Sequence, residues 1–228
     1  MKKIIIPILV LMTVIVGCKT SQSQKKSNLN KTEKGAIIGT SSGAVIGGII
    51  GNKKNNTALG AILGATVGGA VGVVIGNKMD KQAKKIQDEL GNAAKVERVG
   101  EGIKLTFDSQ LLFDFGKATL KESNKDDLWK LANTLKQYPD TDLLIVGHTD
   151  NVGSNSFNQA LSKKRANAVS NELASTGISR KRLKIKGLGE NQPTETNDSD
   201  AGRTQNRRVE IAIYANNNMK TEANKEAI

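Results

Sequence analysis

The sequence predicts an α/β fold, a small mixed sheet with helices on one face, preceded by a glycine-rich helical hairpin. Two observations lead to this prediction. From about Lys95 onward, segments with apolar residues at alternate positions are interleaved with segments of helical periodicity. Before them, glycine recurs every four residues in two related stretches. A chain of 228 residues has room for one domain of typical size plus extensions.

Residues 1–17 have the composition of a signal peptide. Lys2 and Lys3 form a positive start, and residues 4–16 form an apolar run too short to span a bilayer comfortably. The run ends at Gly17-Cys18, which resembles the lipobox of bacterial lipoproteins, so Cys18 is the predicted lipidation site. Cys18 is the only cysteine, which excludes an intramolecular disulfide or a cysteine-based metal cluster. The alternative is a signal peptide with an incidental cysteine.

Residues 18–34 are predicted to be a lipidated flexible tether, because they are rich in Ser, Gln, Asn and Lys. Residues 35–77 contain an internal duplication with a period of 25 residues. Aligning residues 35–53 with residues 60–78 gives ten identities in nineteen positions, and five of these are glycines. The duplication predicts two copies of one structural unit.

On a helix, this glycine spacing makes a narrow stripe along which a second helix can approach closely. The pattern resembles the glycine-zipper segments of outer-membrane lipoproteins. It predicts a hairpin in or on the membrane, with residues 35–51 and 60–76 as its arms, and a homo-oligomer through the zipper. Glycine costs about 1 kcal/mol per residue against alanine in an exposed helix, so a flexible linker is the alternative. Residues 78–94 follow as a charged helical spacer.

The net charge of +12 is unevenly distributed. Residues 1–92 carry 13 Lys/Arg against 4 Asp/Glu, whereas residues 93–215 carry 19 against 16. The predicted domain is therefore nearly neutral, and the chain lacks the interleaved aromatic residues and zinc-finger spacing of nucleic-acid readers. No nucleic-acid partner is expected. The basic N-terminal part suits an anionic membrane surface or the cell wall.

Residues 95–215 are predicted to fold in the order strand, helix, strand, helix, strand, strand. Ile103, Leu105 and Phe107 alternate as in a half-buried strand, and residues 111–113 add a short strand. The later elements are helices over residues 120–137 and 155–176 and strands over residues 143–146, 182–186 and 208–214. This order predicts a two-layer α/β sandwich. The polar residues 216–228 are predicted to be disordered.

Four short segments of this region carry a recognisable pattern. They are Phe113-Asp114-Phe115-Gly116-Lys117, Gly147-His148-Thr149-Asp150, Leu161-Ser162-Lys163-Lys164-Arg165 and Asn206-Arg207-Arg208-Val209-Glu210. Together they resemble the OmpA-like peptidoglycan-binding domain of OmpA C-terminal domains, peptidoglycan-associated lipoproteins and MotB-type stator proteins. The resemblance covers residues 95–215.

The charges of Asp150 and Arg165 suggest a small pocket for a zwitterion. From the residues alone, Arg165 as a solvent-facing helix residue is the favoured alternative, and the resemblance reverses this preference. Asn158, Leu161 and Arg165 share one helical face, and Asp150 leaves the preceding strand at the same end. The resemblance implies that Asp150 holds the ammonium and Arg165 the carboxylate of the diaminopimelate residue in the peptidoglycan stem peptide, which suits the planar guanidinium fork. It also implies hydrogen bonds from Thr149 and Asn158 and an apolar wall from Leu161.

The resemblance further implies that Asp114 and Gly116 reach the same groove from the upstream loop. Asp114 capping a turn is the alternative. Arg207 and Arg208 either reach the ligand or brace the fold through Glu210, and bracing is favoured for at least one of them. His148 is expected to be a packed residue at a strand end rather than a ligand-binding one.

The predicted function is that of an outer-membrane lipoprotein, with its C-terminal domain in the periplasm, that anchors the membrane to the wall. Its expected partners are peptidoglycan and, through acylated Cys18, outer-membrane lipid. No enzymatic activity, cofactor or metal is expected. Residues 39–43 match a Gly-x-Ser-x-Gly pattern, but they lie inside the glycine repeat and His148 is the only histidine. The rival predictions are an envelope enzyme and a pore or oligomeric scaffold built by the glycine hairpin.

Overall fold

The computed structural model describes residues 56–228, so the predicted signal peptide, Cys18, the predicted tether and the first glycine repeat lie outside the described residues. The helices are α1 (Thr57–Ala65), α2 (Gly69–Leu90), α3 (Ser109–Leu112), α4 (Lys125–Gln137), α5 (Asn155–Ser175), α6 (Asp200–Asn206) and α7 (Asn217–Glu226). The strands are β1 (Lys95–Val99), β2 (Gly102–Asp108), β3 (Thr141–Gly147), β4 (Leu183–Gly187) and β5 (Arg208–Ala215). Short 3₁₀ turns occupy Glu122–Asn124 and Arg180–Arg182.

The five strands form one mixed sheet in the order β1-β2-β5-β3-β4. Only the β3–β4 pair is parallel, and α5 makes the crossover between its two strands. The other three pairs are antiparallel. The predicted α/β sandwich with a mixed sheet is therefore confirmed. The hairpin strand β1 was not predicted as a separate strand.

The main core lies between one face of the sheet and the helices α2, α4, α5 and α7. Alternate residues of the three central strands point into it because successive strand residues face opposite sides. They are Ile103, Leu105, Phe107, Leu143, Ile145, Val209, Ile211 and Ile213, all at most 1% exposed. The helices contribute Leu128, Leu131, Leu135, Val169 and Leu173 at helical spacing. This core fixes the end of β3 relative to α5.

The opposite face of the sheet is covered by α1, which belongs to the second glycine repeat. Ala58 and Ile62 are buried against Val146 and Ala212 in a second, smaller cluster. Ile62 comes so close to the sheet that a Cβ on Gly102 would lie 2.6 Å from its Cγ2. The helices predicted within the domain lie on one face, as expected, whereas the helix covering the second face comes from upstream of the predicted domain boundary.

The second glycine repeat is not one helical arm, contrary to the predicted hairpin. The chain leaves α1 after Ala65 and turns through Gly68 and Gly69, whose φ angles are +75° and +62°. The carboxylate of Glu101 accepts hydrogen bonds from the backbone N–H groups of Val67 (2.8 Å) and Gly68 (2.7 Å), which holds this turn against the β1–β2 hairpin. Among residues 56–228, no helix is both long enough and apolar enough to cross a membrane.

The boundary predicted between the glycine segment and the charged spacer is also absent. Helix α2 runs without interruption from Gly69 to Leu90, and Ile75, Met79 and Ile86 lie on one buried face. Its apolar residues recur across both predicted segments, so a single amphipathic helix packs against the main core.

The C-terminal segment was predicted to be disordered, but most of it forms α7. The side chain of Asn216 caps the helix by accepting a hydrogen bond from the Met219 N–H at 3.1 Å. Met219 and Ala223, four residues apart, are buried in the main core. Lys78 of α2 forms an ion pair with Glu226 at 2.6 Å. The cap, the buried i, i+4 pair and the ion pair together attach this otherwise polar segment to the domain.

Two smaller predictions were wrong or incomplete. Residues 111–113 do not form a strand, because the side chain of Asp108 caps the helical turn α3 and only Phe113 makes a single bridge, to Leu120. The short helix α6 was not predicted. The buried amide of Asn206 at its end holds the preceding loop through both Oδ1 and Nδ2, which fixes the path of the chain into β5.

Candidate functional site

The candidate site lies where β3 ends and α5 begins. The strand and the helix are in close contact here, since a Cβ on Gly147 would lie 2.1 Å from the carbonyl oxygen of Ser162. Ser154 caps α5 by accepting a hydrogen bond from the Phe157 N–H at 3.2 Å. Residues 148–150 thus leave the sheet directly beside the first turns of α5.

Asp150 is a buried carboxylate with two protein partners. It is 5% exposed. Its Oδ2 accepts a hydrogen bond from Nη1 of Arg207 at 2.6 Å, and its Oδ1 accepts one from the Val152 N–H at 3.1 Å. An ionised carboxylate has about four acceptor positions, so roughly half of them remain for a ligand. Asp150 therefore both orients Arg207 and keeps capacity to accept from an ammonium.

Arg165 is a buried residue whose guanidinium is held by a hydrogen bond from Nε. It is 3% exposed, its Nε donates to the Lys117 carbonyl at 3.0 Å, and its guanidinium carbon lies 5.3 Å from the centre of the Phe113 ring. Burial lowers the pKa of Arg165, the negative charge of Asp150 opposes that shift, and the positive charge of Arg207 adds to it. The terminal nitrogens of Arg165 donate to none of the described residues, which leaves its planar fork available for a carboxylate.

The three other predicted contacts on β3 and α5 differ in role. Thr149 is 4% exposed, and its hydroxyl has no partner among residues 56–228. Asn158 is 1% exposed, and its Nδ2 donates to the Asp150 carbonyl at 3.3 Å and to Glu190 Oε2 at 2.6 Å. Leu161 is half-buried on the same helix. Asn158 thus fixes the backbone of Asp150, and its donor nitrogen is already engaged.

The upstream loop approaches α5 through its backbone. Gly116 has a φ of +68°, a conformation that favours glycine. The Lys117 N–H donates to the Asp114 carbonyl at 3.0 Å, which closes the turn and presents the Lys117 carbonyl to Arg165. The exposed Asp114 carboxylate pairs with Lys117 at 3.3 Å and Lys121 at 3.8 Å. Asp114 therefore lies on the loop that borders the site, with its charge shared between two lysines.

A groove of about 340 Å³ lies between this loop and α5. It is lined by Ser109, Gln110, Phe113, Asp114, Phe115, Lys121, Arg165 and Arg207. Asp150 adjoins it through its ion pair with Arg207. Ser109, Gln110 and Lys121 were not singled out from the sequence, because a serine after a strand or a lysine in a loop is too common to mark a site.

Arg208 braces the fold, as one of the two alternatives predicted. Its Nε donates to Glu210 Oε1 at 2.8 Å, and the same oxygen accepts from Asn56 Nδ2 at 3.1 Å. His148 lies beside this pair, 1% exposed, with its Nε2 3.8 Å from Glu210 Oε2. Neither ring nitrogen has a hydrogen-bond partner among the described residues. Arg208, Glu210 and His148 lie on the sheet face that α1 covers, whereas Arg207 lines the groove.

Comparisons with known proteins extend over both halves of the chain. The OmpA family matches residues 112–207, and the YMGG-like Gly-zipper family matches residues 1–80. The chain is 35% identical over 200 residues to the probable lipoprotein YiaD of Escherichia coli (strain K12), covering 87% of this chain and 91% of that protein. The chain belongs to the OmpA family.

Two further relatives concern the C-terminal half. The outer-membrane lipoprotein YfiB of Pseudomonas aeruginosa is 33% identical over 115 residues, which cover 50% of this chain and 68% of that protein. The solved structure of the cell wall anchor of the T6SS from Pseudomonas aeruginosa has a TM-score of 0.54 and 28% identity, covering 59% of this chain and 96% of the other. The OmpA match includes Asp114, Asp150 and Arg165, but Ser109 and the helices α1 and α2 precede it.

Proposed function

We propose that this protein is an outer-membrane lipoprotein that binds peptidoglycan non-covalently and anchors the outer membrane to the cell wall. One observation supports the proposal most strongly. A buried carboxylate, Asp150, follows β3, and a buried guanidinium, Arg165, lies in the middle of α5. The charge of Asp150 acts on the pKa of Arg165, but the two side chains are not paired to each other. Each keeps hydrogen-bonding capacity that the described protein groups do not use.

In this proposal, the ligand group is the diaminopimelate residue of the stem peptide. Its distal centre is a zwitterion, so its carboxylate binds the terminal nitrogens of Arg165 and its ammonium the remaining acceptor positions of Asp150. Charge-assisted hydrogen bonds contribute about 1.5–3 kcal/mol each, and a low-dielectric setting strengthens them. The ring of Phe113, whose centre is 5.3 Å from the Arg165 guanidinium carbon, reduces the access of water to the same place.

The descriptions of the relatives support the lipoprotein and wall-anchoring parts of the proposal. YfiB is described as an outer-membrane lipoprotein, YiaD as a probable lipoprotein, and the T6SS protein as a cell wall anchor. Transferred to this chain, these descriptions support a lipid anchor and a wall-binding domain. We propose Cys18 as the lipidation site and the periplasm as the location of the domain. We further propose that binding, not catalysis, is the domain's role.

Co-sedimentation with purified sacculi tests the proposal. The full-length chain in detergent is compared with Arg165→Lys and Asp150→Asn, which keep the size and much of the hydrogen bonding of each side chain. We expect the wild type to pellet with sacculi and each variant to bind roughly tenfold or more weakly, because lysine lacks the planar fork and asparagine lacks the charge.

Lys164→Ala is the matched control, since Lys164 is exposed beside Arg165 on the same helix. It should pellet like the wild type. Circular dichroism and thermal melting identify any variant that has lost its fold. The proposed site is contradicted if the wild type stays in solution in the presence of sacculi. It is also contradicted if Lys164→Ala loses as much binding to sacculi as Arg165→Lys does.

A further inference from the structure

The groove carries more positive charge than a zwitterion can neutralise. Arg207 is paired with the carboxylate of Asp150, and Arg165 lies near the same carboxylate without forming an ion pair among the described residues. On the loop, Asp114 pairs with Lys121, which lines the groove, and with Lys117, which does not. Three cations, Arg165, Arg207 and Lys121, therefore line the groove beside two carboxylates, Asp114 and Asp150. A bound diaminopimelate centre adds one positive and one negative charge, so it leaves this surplus unchanged. Glu190 lies beyond Asn158 and does not line the groove.

The same groove contains buried polar groups that lack partners among residues 56–228. They are the Ser109 hydroxyl and Nε of Arg207. Ser109 is 1% exposed, and its backbone N–H donates to the Arg207 carbonyl at 2.9 Å, so the two residues are held together. Buried polar groups in folded proteins normally have hydrogen-bond partners. Both groups are donors, and they lie beside a surplus of positive charge.

We propose that this groove is a second, anion-binding subsite that takes the free α-carboxylate of the γ-linked glutamate preceding diaminopimelate. The proposal rests on the proposed function and names a further part of the ligand. The glutamate is joined through its side-chain carboxyl, so its α-carboxylate remains ionised one residue from the zwitterion. Ser109 Oγ and Arg207 Nε donate to this carboxylate, and Lys121 adds a positive charge.

Phe115 is an exposed apolar residue of the subsite. It lines the groove and is 84% exposed, which is unusual for so large an apolar side chain. A stem peptide lying in the groove covers part of this ring and excludes water from the carboxylate's donors. Exclusion of water strengthens each charged hydrogen bond.

Amidation of the glutamate tests the subsite, because it replaces the carboxylate by a neutral amide of nearly the same shape. Binding of two soluble tripeptides, L-Ala-γ-D-Glu-meso-diaminopimelate and its isoglutamine counterpart, is measured by calorimetry with the full-length chain in detergent. We expect the wild type to bind the amidated peptide roughly tenfold or more weakly. Ser109→Ala and Lys121→Gln each remove one of the three groups that hold the carboxylate, so each should bind the free acid more weakly than the wild type does, with little change toward the amide.

Arg207 is left intact in this experiment because it also holds Asp150, so its loss would weaken both peptides. Lys117→Gln is the control, since Lys117 shares Asp114 with Lys121 but does not line the groove. It should retain the discrimination. If the wild type binds both peptides with equal affinity and Asp150→Asn binds neither, the subsite is overturned and the zwitterion pocket is still supported. Failure of the wild type to bind either peptide overturns both proposals.

Discussion

Asp150 binds a protein cation before any ligand arrives. Its 2.6 Å ion pair with Arg207 joins two segments that are 57 positions apart in the chain. The spacing of Asp150 and Arg165 suggested a common pocket, but only the resemblance to the OmpA-like domain assigned Arg165 to it. Arg165 lies almost three turns into the helix that follows, and an arginine at such a position is usually solvent-facing. The role of Arg207 was left open between binding and bracing, because no local pattern says which of two adjacent arginines faces which side of β5. Strand alternation assigns Arg207 to the groove and Arg208 to the opposite face.

His148 makes the stability of this domain dependent on pH. Burial, and then the positive charges of Arg208 and Lys104, lower the pKa of His148 from 6.5 to about 2. Glu210 lies 3.8 Å away, but its Oε1 is engaged by Arg208 and Asn56, and burial dominates over any ion pair. Between pH 6.5 and about 2 the unfolded chain therefore binds a proton that the folded chain does not. The stability that neutral His148 contributes is complete above pH 6.5 and is lost as the pH falls.

Urea unfolding at pH 7.5 and pH 5.0 measures this effect. The loss is about 1.4 kcal/mol per pH unit below 6.5, so the wild type should lose about 2 kcal/mol more than His148→Gln over this interval. Carboxylates titrate in both proteins and cancel in the comparison. An equal loss in the two proteins would mean that His148 is accessible to protons in the folded state.

The helices and strands were predicted unequally well. Ile103, Leu105 and Phe107 alternate so regularly that β2 follows from the sequence, and the strong apolar face of α4 is equally clear. Helix α1 was not predictable as a cover for the sheet, because its glycine spacing suits a membrane hairpin equally well. Only the tertiary contacts of Ala58 and Ile62 distinguish the two arrangements. Helix α7 offered only Met219 and Ala223 as a signal, too little to outweigh its polar composition.

A substitution at Ile62 tests whether α1 packs on the sheet. Ile62 is 1% exposed between α1 and the sheet, so Ile62→Ala should lower the free energy of unfolding by about 2–4 kcal/mol. Val73→Ala is the matched control, because Val73 lies in the same glycine repeat but is 63% exposed. Its effect should stay within about 0.5 kcal/mol. If the two variants unfold alike in urea, α1 does not pack on the sheet in solution.

At the scale of the whole molecule, wall binding and membrane attachment are proposed to act through separate parts of one chain. The proposed zwitterion pocket is formed around Asp150 and Arg165, whereas the proposed lipid attachment is at Cys18. A single stem peptide offers only a few charged hydrogen bonds, so its affinity is expected to be moderate. Two attachments raise the effective concentration of each interaction without any new contact.

Fractionation of cells expressing single and double variants separates the two attachments. Cys18→Ser removes the predicted acyl chains, whose burial contributes about 0.8 kcal/mol per methylene, so this variant should leave the membrane fraction and still sediment with sacculi. Asp150→Asn should remain with the membrane and dissociate from sacculi washed with detergent. The double variant should be soluble in both procedures, because it lacks both attachments. A Cys18→Ser chain that stays in the membrane fraction after sacculi are digested would place the membrane attachment elsewhere in the chain, with the glycine repeats as the next segment to delete.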